Sequence, residues 1–486
     1  MISILLMLIT LQISGDTRIR GEFSFPEPRG CAEGYWAGSS MAFYQRLLLS
    51  SGKWSAVILT EKDPGEDWGD LIAGGAGYHD PGGVTAAAGA LRVQFARGLL
   101  LSNSGSWGST DPLALSKPGS WRMRIEPAES PGLSDARPLI GAGALVPAGG
   151  FRLAAVFSRS GLDTGSSGLH RSPFEIESSG SVTRTLGAFR AGRGPVGLSF
   201  AAVSDENDSS RVSTAGLGAD LLLQGEEALL NAEFATDLDS VNNFVVSASR
   251  GGPGLRHGIT VSRNFGELPG TWGGQGTEHL LGTGYGTRWK PRDRLALEAG
   301  VLYLRRTDDD RLRTGIQLTE TPGNRTEFSQ RISHTWTPEE ETLSGRASFR
   351  WTPSPGVTLS LKVPFSVYRG SGIGEEGFGA EVRLRHRTGR RFEYGLSAAG
   401  CSTDGWNSRV YAYSLSFPGE FGSTAMYGKA FLLQASATVN LSPDAVLRAR
   451  GSWYCREGEE VLGSGWEETE GPSRTTLGVQ LDWSFQ

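Results

Sequence analysis

Apolar and polar residues alternate along the last stretch of the chain, from Arg474 to Phe485. One set of alternate positions is mostly apolar and holds Thr475, Leu477, Val479, Leu481, Trp483 and Phe485. The positions between them hold Arg474, Thr476, Gly478, Gln480, Asp482 and Ser484. Successive side chains of a β-strand point to opposite faces, so this pattern predicts an amphipathic strand. The closing strand of a membrane-spanning barrel has this form, because one face meets lipid and the other meets the lumen.

The same alternation is found in five other segments, namely residues 343–351, 357–367, 381–387, 431–441 and 448–454. The longer of these exceed the 5–6 residues that are usual for a strand and match the roughly 9–11 that a tilted membrane strand needs. Across the chain we count about 22–24 candidate strands, a number typical of large single-chain barrels. The sequence therefore predicts an all-β fold, a transmembrane antiparallel outer-membrane β-barrel of about 22–24 strands.

Aromatic residues stand at the ends of several predicted strands. Three tryptophans are each followed by a proline two residues later, in Trp289-Lys-Pro291, Trp336-Thr-Pro338 and Trp351-Thr-Pro353. Proline cannot donate to a strand ladder, so each proline marks a turn. Together with Phe417 and Trp453, these tryptophans are predicted to form the aromatic girdles at the two membrane surfaces.

The first residues of the chain predict a targeting segment. Met1 to Ile13 is almost wholly apolar and is followed by Ser14, Gly15 and Asp16. A membrane helix needs about 20 apolar residues, so this stretch fits the apolar core of a secretory signal better. We predict a signal peptide at residues 1–15 and a barrel at residues 16–486, with a buried first strand as the alternative to the signal. Residues 102–138, rich in Gly, Ser and Pro, are predicted to form a long loop or a lumen insert.

The composition agrees with a large barrel. Glycine accounts for 69 of 486 residues, about twice the usual share of roughly 7%. Hydrophobic residues account for 38%, which is low for a globular protein with a large core. The net charge of −5 argues against a polyanion-binding surface, so nucleic acid is not an expected partner. The three cysteines, Cys31, Cys401 and Cys455, form no CxxC motif; either Cys401 and Cys455 form a disulfide or all three are isolated thiols.

No motif in the chain carries catalytic chemistry. Residues 372–377 match GxGxxG, but a strand-like segment follows where the dinucleotide fingerprint needs a helix. None of the six histidines pairs with another at metal-ligand spacing. A site assembled from Ser, His and Asp of different strands would not be visible in the sequence. We predict no catalytic, cofactor-binding or metal-binding residues and no enzyme activity.

Charged residues recur on the polar faces of the predicted strands. We predict that the following residues line the lumen: Arg346, Arg350, Glu381, Arg383, Arg385, Arg387, Arg448 and Arg450. One interpretation is a cationic wall that favours anions in a pore. The other is a set of ion pairs between arginines and acids such as Glu381 and Glu393, which would hold the barrel rigid.

Two segments carry recognisable motifs, Leu91-Arg-Val-Gln-Phe-Ala-Arg-Gly-Leu-Leu-Leu101 and residues 410–421. The first resembles the R-x-Q-F-G-Q-G-L strand of bacterial outer-membrane barrels that often follow a helix-hairpin-helix domain. Ala96 and Arg97 stand where those proteins have Gly and Gln. The second resembles their Y-x-Y-E-x-D-x-P-G-x-F segment. We find no helix-hairpin-helix segment in this sequence, so the resemblance implies the barrel fold and no DNA-binding role.

The order Thr476-x-Gly478-x-x-Leu481-x-Trp483 near the end of the chain resembles the C-terminal insertion signal of bacterial outer-membrane proteins. The resemblance implies that the barrel-assembly machinery recognises Gly478, Leu481, Trp483 and Phe485. The usual terminal aromatic residue is here penultimate, because Gln486 follows Phe485.

Two functions from different classes follow from these patterns. The first is an integral outer-membrane β-barrel of a Gram-negative bacterium that serves as a pore or as part of uptake or secretion. Its partners would be the lipid bilayer and the assembly machinery, together with small solutes or envelope proteins. The alternative is a secreted or surface β-protein that binds glycans by stacking on exposed tryptophans, namely Trp107, Trp272, Trp406 and Trp466. A soluble protein would cover its apolar strand faces with a second sheet, whereas a barrel exposes them.

Overall fold

The chain folds into one closed β-barrel, seen here in a computed structural model. The structure describes residues 14–102, 111, 113–114, 122–128, 139–162, 170–207, 209–237, 242–263, 281–305, 309–418, 420 and 422–485. Each wall strand pairs in antiparallel fashion with the next wall strand along the chain. The first and last strands pair from Gly15–Phe485 to Phe25–Thr475 and so close the ring. The predicted fold class is confirmed, with 24 strands in the wall.

The wall strands of the first half of the chain are 9 to 14 residues long, the length that crossing a bilayer requires. They are β1 (Ser14–Phe25), β2 (Ala42–Ser51), β3 (Trp54–Lys62), β4 (Leu71–His79), β5 (Thr85–Ala96), β7 (Leu139–Ala148), β8 (Phe151–Leu162), β9 (Val182–Arg193), β10 (Val196–Glu206), β11 (Arg211–Gln224), β12 (Ala228–Asp237) and β13 (Asn242–Gly251). A short strand, β6 (Arg122–Pro127), pairs with β5 away from this wall.

The second half supplies the other twelve wall strands. They are β14 (Leu255–Arg263), β15 (Leu281–Arg292), β16 (Leu295–Arg305), β17 (Asp310–Gly323), β18 (Thr326–Trp336), β19 (Glu340–Ser354), β20 (Val357–Gly370), β21 (Ile373–Thr388), β22 (Phe392–Thr403), β25 (Lys429–Asn440), β26 (Ala445–Arg456) and β29 (Ser473–Phe485). Two short hairpins lie outside the wall, β23 (Val410–Tyr413) with β24 (Ser423–Met426) and β27 (Val461–Leu462) with β28 (Thr469–Glu470).

The two ends of the barrel differ in the length of their connections. Beside the start of β1 and the end of β29, the strands are joined by tight turns, such as Gly52-Lys53 and Gly149-Gly150. The longer connections are at the opposite end. They contain the two β-hairpins, α1 (Arg29–Ala32), α2 (Pro173–Ser178) and a 3₁₀ turn at Gly465–Glu467. Outer-membrane barrels show this asymmetry, with short periplasmic turns and longer extracellular loops.

The outer surface of the barrel is apolar. Leu477, Val479 and Trp483 of β29 are each about half exposed, whereas Gln480 between them is fully buried. The same alternation exposes Leu361 and Val363 of β20. In a closed barrel no second sheet covers these side chains, so they are the lipid-facing surface of a transmembrane barrel. The predicted outer-membrane location is confirmed by this surface.

Most of the predicted girdle residues lie on this outer surface. Trp289 and Trp351 are exposed near the turn end of the barrel, and Trp336 and Trp453 near the loop end. The strand register shifts just after Trp289 and Trp351, where the prolines occur. The prediction was wrong for Phe417, which is buried beneath the Arg450 guanidinium. Phe417 belongs to the loop after β22, which folds inward.

The remaining predictions about the chain ends and cysteines have mixed outcomes. Residues 1–13 of the predicted signal peptide lie outside the described residues, and Ser14 and Gly15 belong to β1. Cys31, Cys401 and Cys455 are free thiols, which agrees with the isolated-thiol alternative. In the described part of the chain, no helix is long and apolar enough to cross a membrane.

Candidate functional site in the barrel lumen

Part of β5 leaves the wall and enters the lumen. Its first half, Thr85–Leu91, pairs with β7, and its second half, Leu91–Ala96, pairs with β6. The strand bends at Gly89, whose φ is +96° and where an added Cβ would lie 2.2 Å from the Gly74 carbonyl oxygen. Only glycine fits such a close approach. Residues 90–102, here called the inner segment, follow this bend.

The inner segment packs on the inward faces of β7 to β13. Leu91, Val93 and Phe95 are almost fully buried, as are Leu99–Leu101. The wall opposite them carries small inward residues, which leave room for the segment: Ala154, Ala188, Ala201, Gly216, Gly218 and Ala235. A Cβ added at Gly216 would lie only 3.0 Å from the Leu100 side chain. Apolar burial inside the barrel therefore holds the segment against one arc of the wall.

Glu233 of β12 fixes the tip of the inner segment. Its carboxylate accepts hydrogen bonds from the backbone N–H of Arg97 at 2.9 Å and of Leu99 at 3.1 Å. The Arg97 side chain donates to Asn231 Oδ1 of the same strand at 2.8 Å. Five wall strands lie between β5 and β12, so these bonds fix the segment to a strand that β5 does not pair with. Charge-assisted bonds to a buried carboxylate are among the stronger hydrogen bonds.

The predicted loop or insert at residues 102–138 is described only at 102, 111, 113–114 and 122–128. Its strand β6 lies in the lumen beside β5. Arg190 donates a hydrogen bond to the Met123 sulfur of β6 at 3.0 Å. The same guanidinium forms a buried ion pair with Asp220 at 2.6 Å. Asp111 lies 3.0 Å from Arg331 of β18. These described parts of the segment therefore contact the inner wall at two separate places.

A second insert covers a different arc of the wall. The β23–β24 hairpin packs through Val410, Ala412 and Met426 against inward residues of β22 and β25, such as Ala399 and Leu432. These residues are nearly all buried. The β23–β24 hairpin, which begins in the sequence motif of residues 410–421, therefore lies inside the barrel.

Tyr413 of the hairpin lies against four charged wall residues, and the five together are here called the hairpin cluster: Arg346, Lys362, Glu381, Arg383 and Tyr413. Arg383 Nη2 donates to Glu381 Oε1 and to the Tyr413 carbonyl oxygen, each at 2.7 Å. The Lys362 ammonium lies 4.0 Å above the Tyr413 ring and 3.7 Å from Glu381. Arg346 donates to the Tyr413 hydroxyl. Three cations therefore surround a single buried carboxylate and one aromatic ring.

A second charged group, here called the seam network, lies on the inner face around β1, β29 and β26, where the barrel closes. Asp482 binds both Arg18, at 2.6 Å, and Arg448. Glu420 binds both Arg20 and Arg450, at 2.6 and 2.5 Å. The network also includes Arg450 with Glu22 and, at 2.9 Å, Arg46 with Asp16. Three of its pairs, Arg18 with Asp482, Arg20 with Glu420 and Glu22 with Arg450, join the first strand to the last part of the chain and form only when the barrel closes.

The structure distributes the predicted lumen residues over these groups. Arg346, Glu381 and Arg383 meet in the hairpin cluster, and Arg448 and Arg450 meet in the seam network. The others lie closer to the turn end, where Arg385 pairs with Glu393, Arg350 lies 3.5 Å from Glu327, and Arg387 is exposed. Sequence reasoning missed Lys362, which shares their strand face, and Arg18, Arg20 and Asp482, whose partners lie at the opposite end of the chain.

The residues of the predicted insertion signal all lie on β29. Leu481 and Trp483 share the outer face, and Phe485 pairs with Gly15 of β1. Gly478 faces inward, and a Cβ added there would lie 2.9 Å from the Phe417 ring. The glycine therefore has a packing role under the inserted loop, whatever else recognises it.

A polar group in the outer loops was not foreseen from the sequence. The His170 backbone N–H donates to Glu66 Oε1 at 2.9 Å, and His170 Nδ1 lies 2.7 Å from Asp70 Oδ1. Ligand atoms of the three residues all lie within 4.8 Å of one another. Imidazole and carboxylate are donors that bind divalent transition metals. The separation of a hundred residues between Asp70 and His170 concealed the group.

The tryptophans of the glycan-binding alternative are partly engaged within the protein. Trp466 stacks on Tyr35 at 4.1 Å, and Trp406 lies under Arg409 at 4.5 Å and against Tyr427. Trp107 and Trp272 lie outside the described residues. The wall is a closed barrel with an exposed apolar face, which is the arrangement that distinguishes the membrane interpretation from the soluble one.

Comparisons with known proteins give fold resemblance only. No protein-family model matches the sequence, and no curated protein matches it. Among solved structures, the chain is similar to the copper transporter OprC, with a TM-score of 0.46 and 9% identity over 98% of this chain and 80% of that chain. The FrpB iron transporter from Neisseria meningitidis gives a TM-score of 0.45 and 8% identity over 97% and 81% of the two chains. The siderophore receptor PirA from Pseudomonas aeruginosa gives 0.45 and 8% over 98% and 81%. The fold assignment rests on the strand pairing and closure of this chain.

Proposed function

We propose that this protein is an outer-membrane barrel through which solutes cross, either as a pore or as the channel of an uptake or secretion system. The observation that carries the proposal is the character of the lumen. The wall is closed, charged residues line one part of its inner face, and two separate inserts pack on different arcs of it.

A charged inner face favours a water-filled lumen, because ionised side chains are costly to enclose without water or a partner. The hairpin cluster keeps such groups partly accessible, since the Lys362 and Arg383 side chains retain about a quarter of their exposure. The inner segment and the β23–β24 hairpin narrow the interior from two sides. This arrangement suits a selective passage better than a wide open hole.

The test is single-channel conductance of the full chain in planar bilayers. Protein whose electrophoretic migration in SDS changes on boiling is a folded barrel and is the material to use. Stepwise conductance increases are expected. Heat-modifiable protein that never conducts would contradict the proposed passage and would favour a closed scaffold.

A further inference from the structure

The charges of the hairpin cluster and the seam network do not balance. The hairpin cluster and the seam network together contain eight cations and five carboxylates. The cations are Arg18, Arg20, Arg46, Arg346, Lys362, Arg383, Arg448 and Arg450, and the carboxylates are Asp16, Glu22, Glu381, Glu420 and Asp482. Every one of these carboxylates is bonded to an arginine. Ion pairing therefore orders these side chains but leaves a cationic surplus.

We infer that this arc, β19 to β22 with β25, β26, β29, β1 and β2, makes the lumen selective for anionic solutes. The inference rests on the proposed function and names the substrate class for the same lumen. From the sequence, the arginines could form either a cationic wall that favours anions or a set of ion pairs that stiffens the barrel. The contacts support both roles. The pairs fix the side chains in place, and the unmatched cations set the sign of the potential.

Shared carboxylates leave guanidinium hydrogens available for an anion. Asp482 and Glu420 are each divided between two arginines, and Glu381 between Arg383 and Lys362. At Asp482 and at Glu381 two cations share one carboxylate, so among the described residues one positive charge at each is left without a counter-charge. Arginine binds carboxylate and phosphate groups by paired N–H donors. A solute carrying such a group would bind the accessible N–H donors of these side chains.

The inner segment strengthens the asymmetry of the lumen. The opposite arc, β7 to β13, is covered by buried apolar residues of that segment. Its buried cation Arg190 is matched by Asp220 in a close pair. Water and ions would therefore pass along the cationic arc, where low-dielectric neighbours make the surplus charge more effective.

The experiment is the reversal potential of the full chain in planar bilayers of neutral lipid under a potassium chloride gradient. We expect chloride to be more permeant than potassium. Lys362→Gln removes one unmatched charge from the arc and should shift the reversal potential toward potassium, whereas Lys362→Arg should keep the wild-type value. Lys53→Gln is the matched control, because Lys53 lies in a turn outside the lumen beside Asp80.

Each outcome decides one of the two proposals. Cation selectivity of the wild-type protein would overturn the inference while leaving the passage intact. An anion selectivity that neither Lys362→Gln nor Arg346→Gln reduces would also overturn it, because another part of the lumen would then set the sign. Absence of conductance from heat-modifiable protein would contradict the proposed function itself. Heat modifiability of each variant shows that the barrel has formed.

Discussion

The Glu233 carboxylate of β12 joins the tip of the inner segment to the wall through the N–H groups of Arg97 and Leu99. Replacing it by Gln keeps the shape but removes the charge and one acceptor, leaving a buried donor unpaired. We expect Glu233→Gln to lower the free energy of unfolding by about 1–3 kcal/mol and to raise the conductance by loosening the segment. Glu226→Gln, in the exposed turn before β12, is the control. Unchanged conductance in both variants would show that the segment is held by apolar packing alone.

Ala96 adopts a backbone conformation that favours glycine, with φ of +52°. It is the position at which the barrels that the sequence resembles carry glycine. The left-handed region costs an L-residue about 1–2 kcal/mol, and loss of its buried methyl costs about 0.8 kcal/mol. We expect Ala96→Gly to leave the barrel equally or more resistant to heat. Ala90→Gly removes an equally buried methyl without positive φ, and it should be destabilising. The temperature at which boiling-resistant migration is lost measures both.

Cys31 lies in α1, in the loop region outside the membrane. Burial raises the pKa of its thiol and the Glu27 charge adds to this, against the opposing charges of Lys62 and Arg171. A raised pKa lowers the thiolate fraction at a given pH, and the thiolate is the reactive form. In a variant with Cys401 and Cys455 replaced by Ser, alkylation at pH 8 should be slower than for a free thiol and should accelerate as pH rises. A rate equal to that of free cysteine would contradict this.

At the scale of strands, the sequence predicted the wall where each strand keeps one face in lipid and one in the lumen. In β20 and β29 the alternation of Leu361 with Ser360, or of Val479 with Gln480, maps directly onto outer and inner faces. The prediction did not extend to the second half of β5, where Leu91, Val93 and Phe95 alternate in the same way. Those side chains face the inner wall, because the bend at Gly89 takes the strand out of the ring. The alternation of apolar and polar residues shows that a strand has two different faces. It does not show whether lipid, the lumen or another part of the chain contacts each face.

The lumen network was predictable only in part, for a related reason. Arg383 and Glu381 are neighbours on one strand face, so their pairing follows from the period of two. Asp482, which binds Arg18, and Glu22, which binds Arg450, each lie more than four hundred residues from their partner in sequence. Only ring closure brings these groups together, and no local pattern encodes it.

The outward face of β20 provides a direct test of lipid contact. We expect Leu361→Arg to cost roughly 2–4 kcal/mol, the cost of placing arginine at the middle of the lipid face of a barrel. Ser360→Arg, one residue away on the inner face, should cost far less because its charge can remain in the lumen. Folding yield into lipid vesicles and urea unfolding measure the difference. Equal effects of the two substitutions would contradict the assignment of these faces.

At the scale of the whole molecule, closure is what turns 24 strands into one barrel with no free edge. An open sheet of this length would expose two rows of unpaired backbone groups to lipid, which is prohibitively costly. β1 and β29 remove both edges by pairing along eleven consecutive positions. The seam network then adds side-chain bonds across the same junction. The two ends of the chain are therefore structural partners. The backbone hydrogen bonds on one edge of β1 can form only when β29 is in place.

A disulfide across this seam tests closure most directly. Ser24 and Thr476 face each other, with their hydroxyl oxygens 3.5 Å apart, and facing residues of adjacent strands approach closely enough for a disulfide. In a background with the three native cysteines replaced by Ser, Ser24→Cys with Thr476→Cys should oxidise readily. The cross-linked ring should migrate differently from the reduced chain even after boiling. Ser24→Cys with Ser397→Cys, on strands that are not neighbours, should not cross-link. Equal cross-linking of both pairs, or of neither, would contradict the closing register, since only the closed ring places Ser24 beside Thr476.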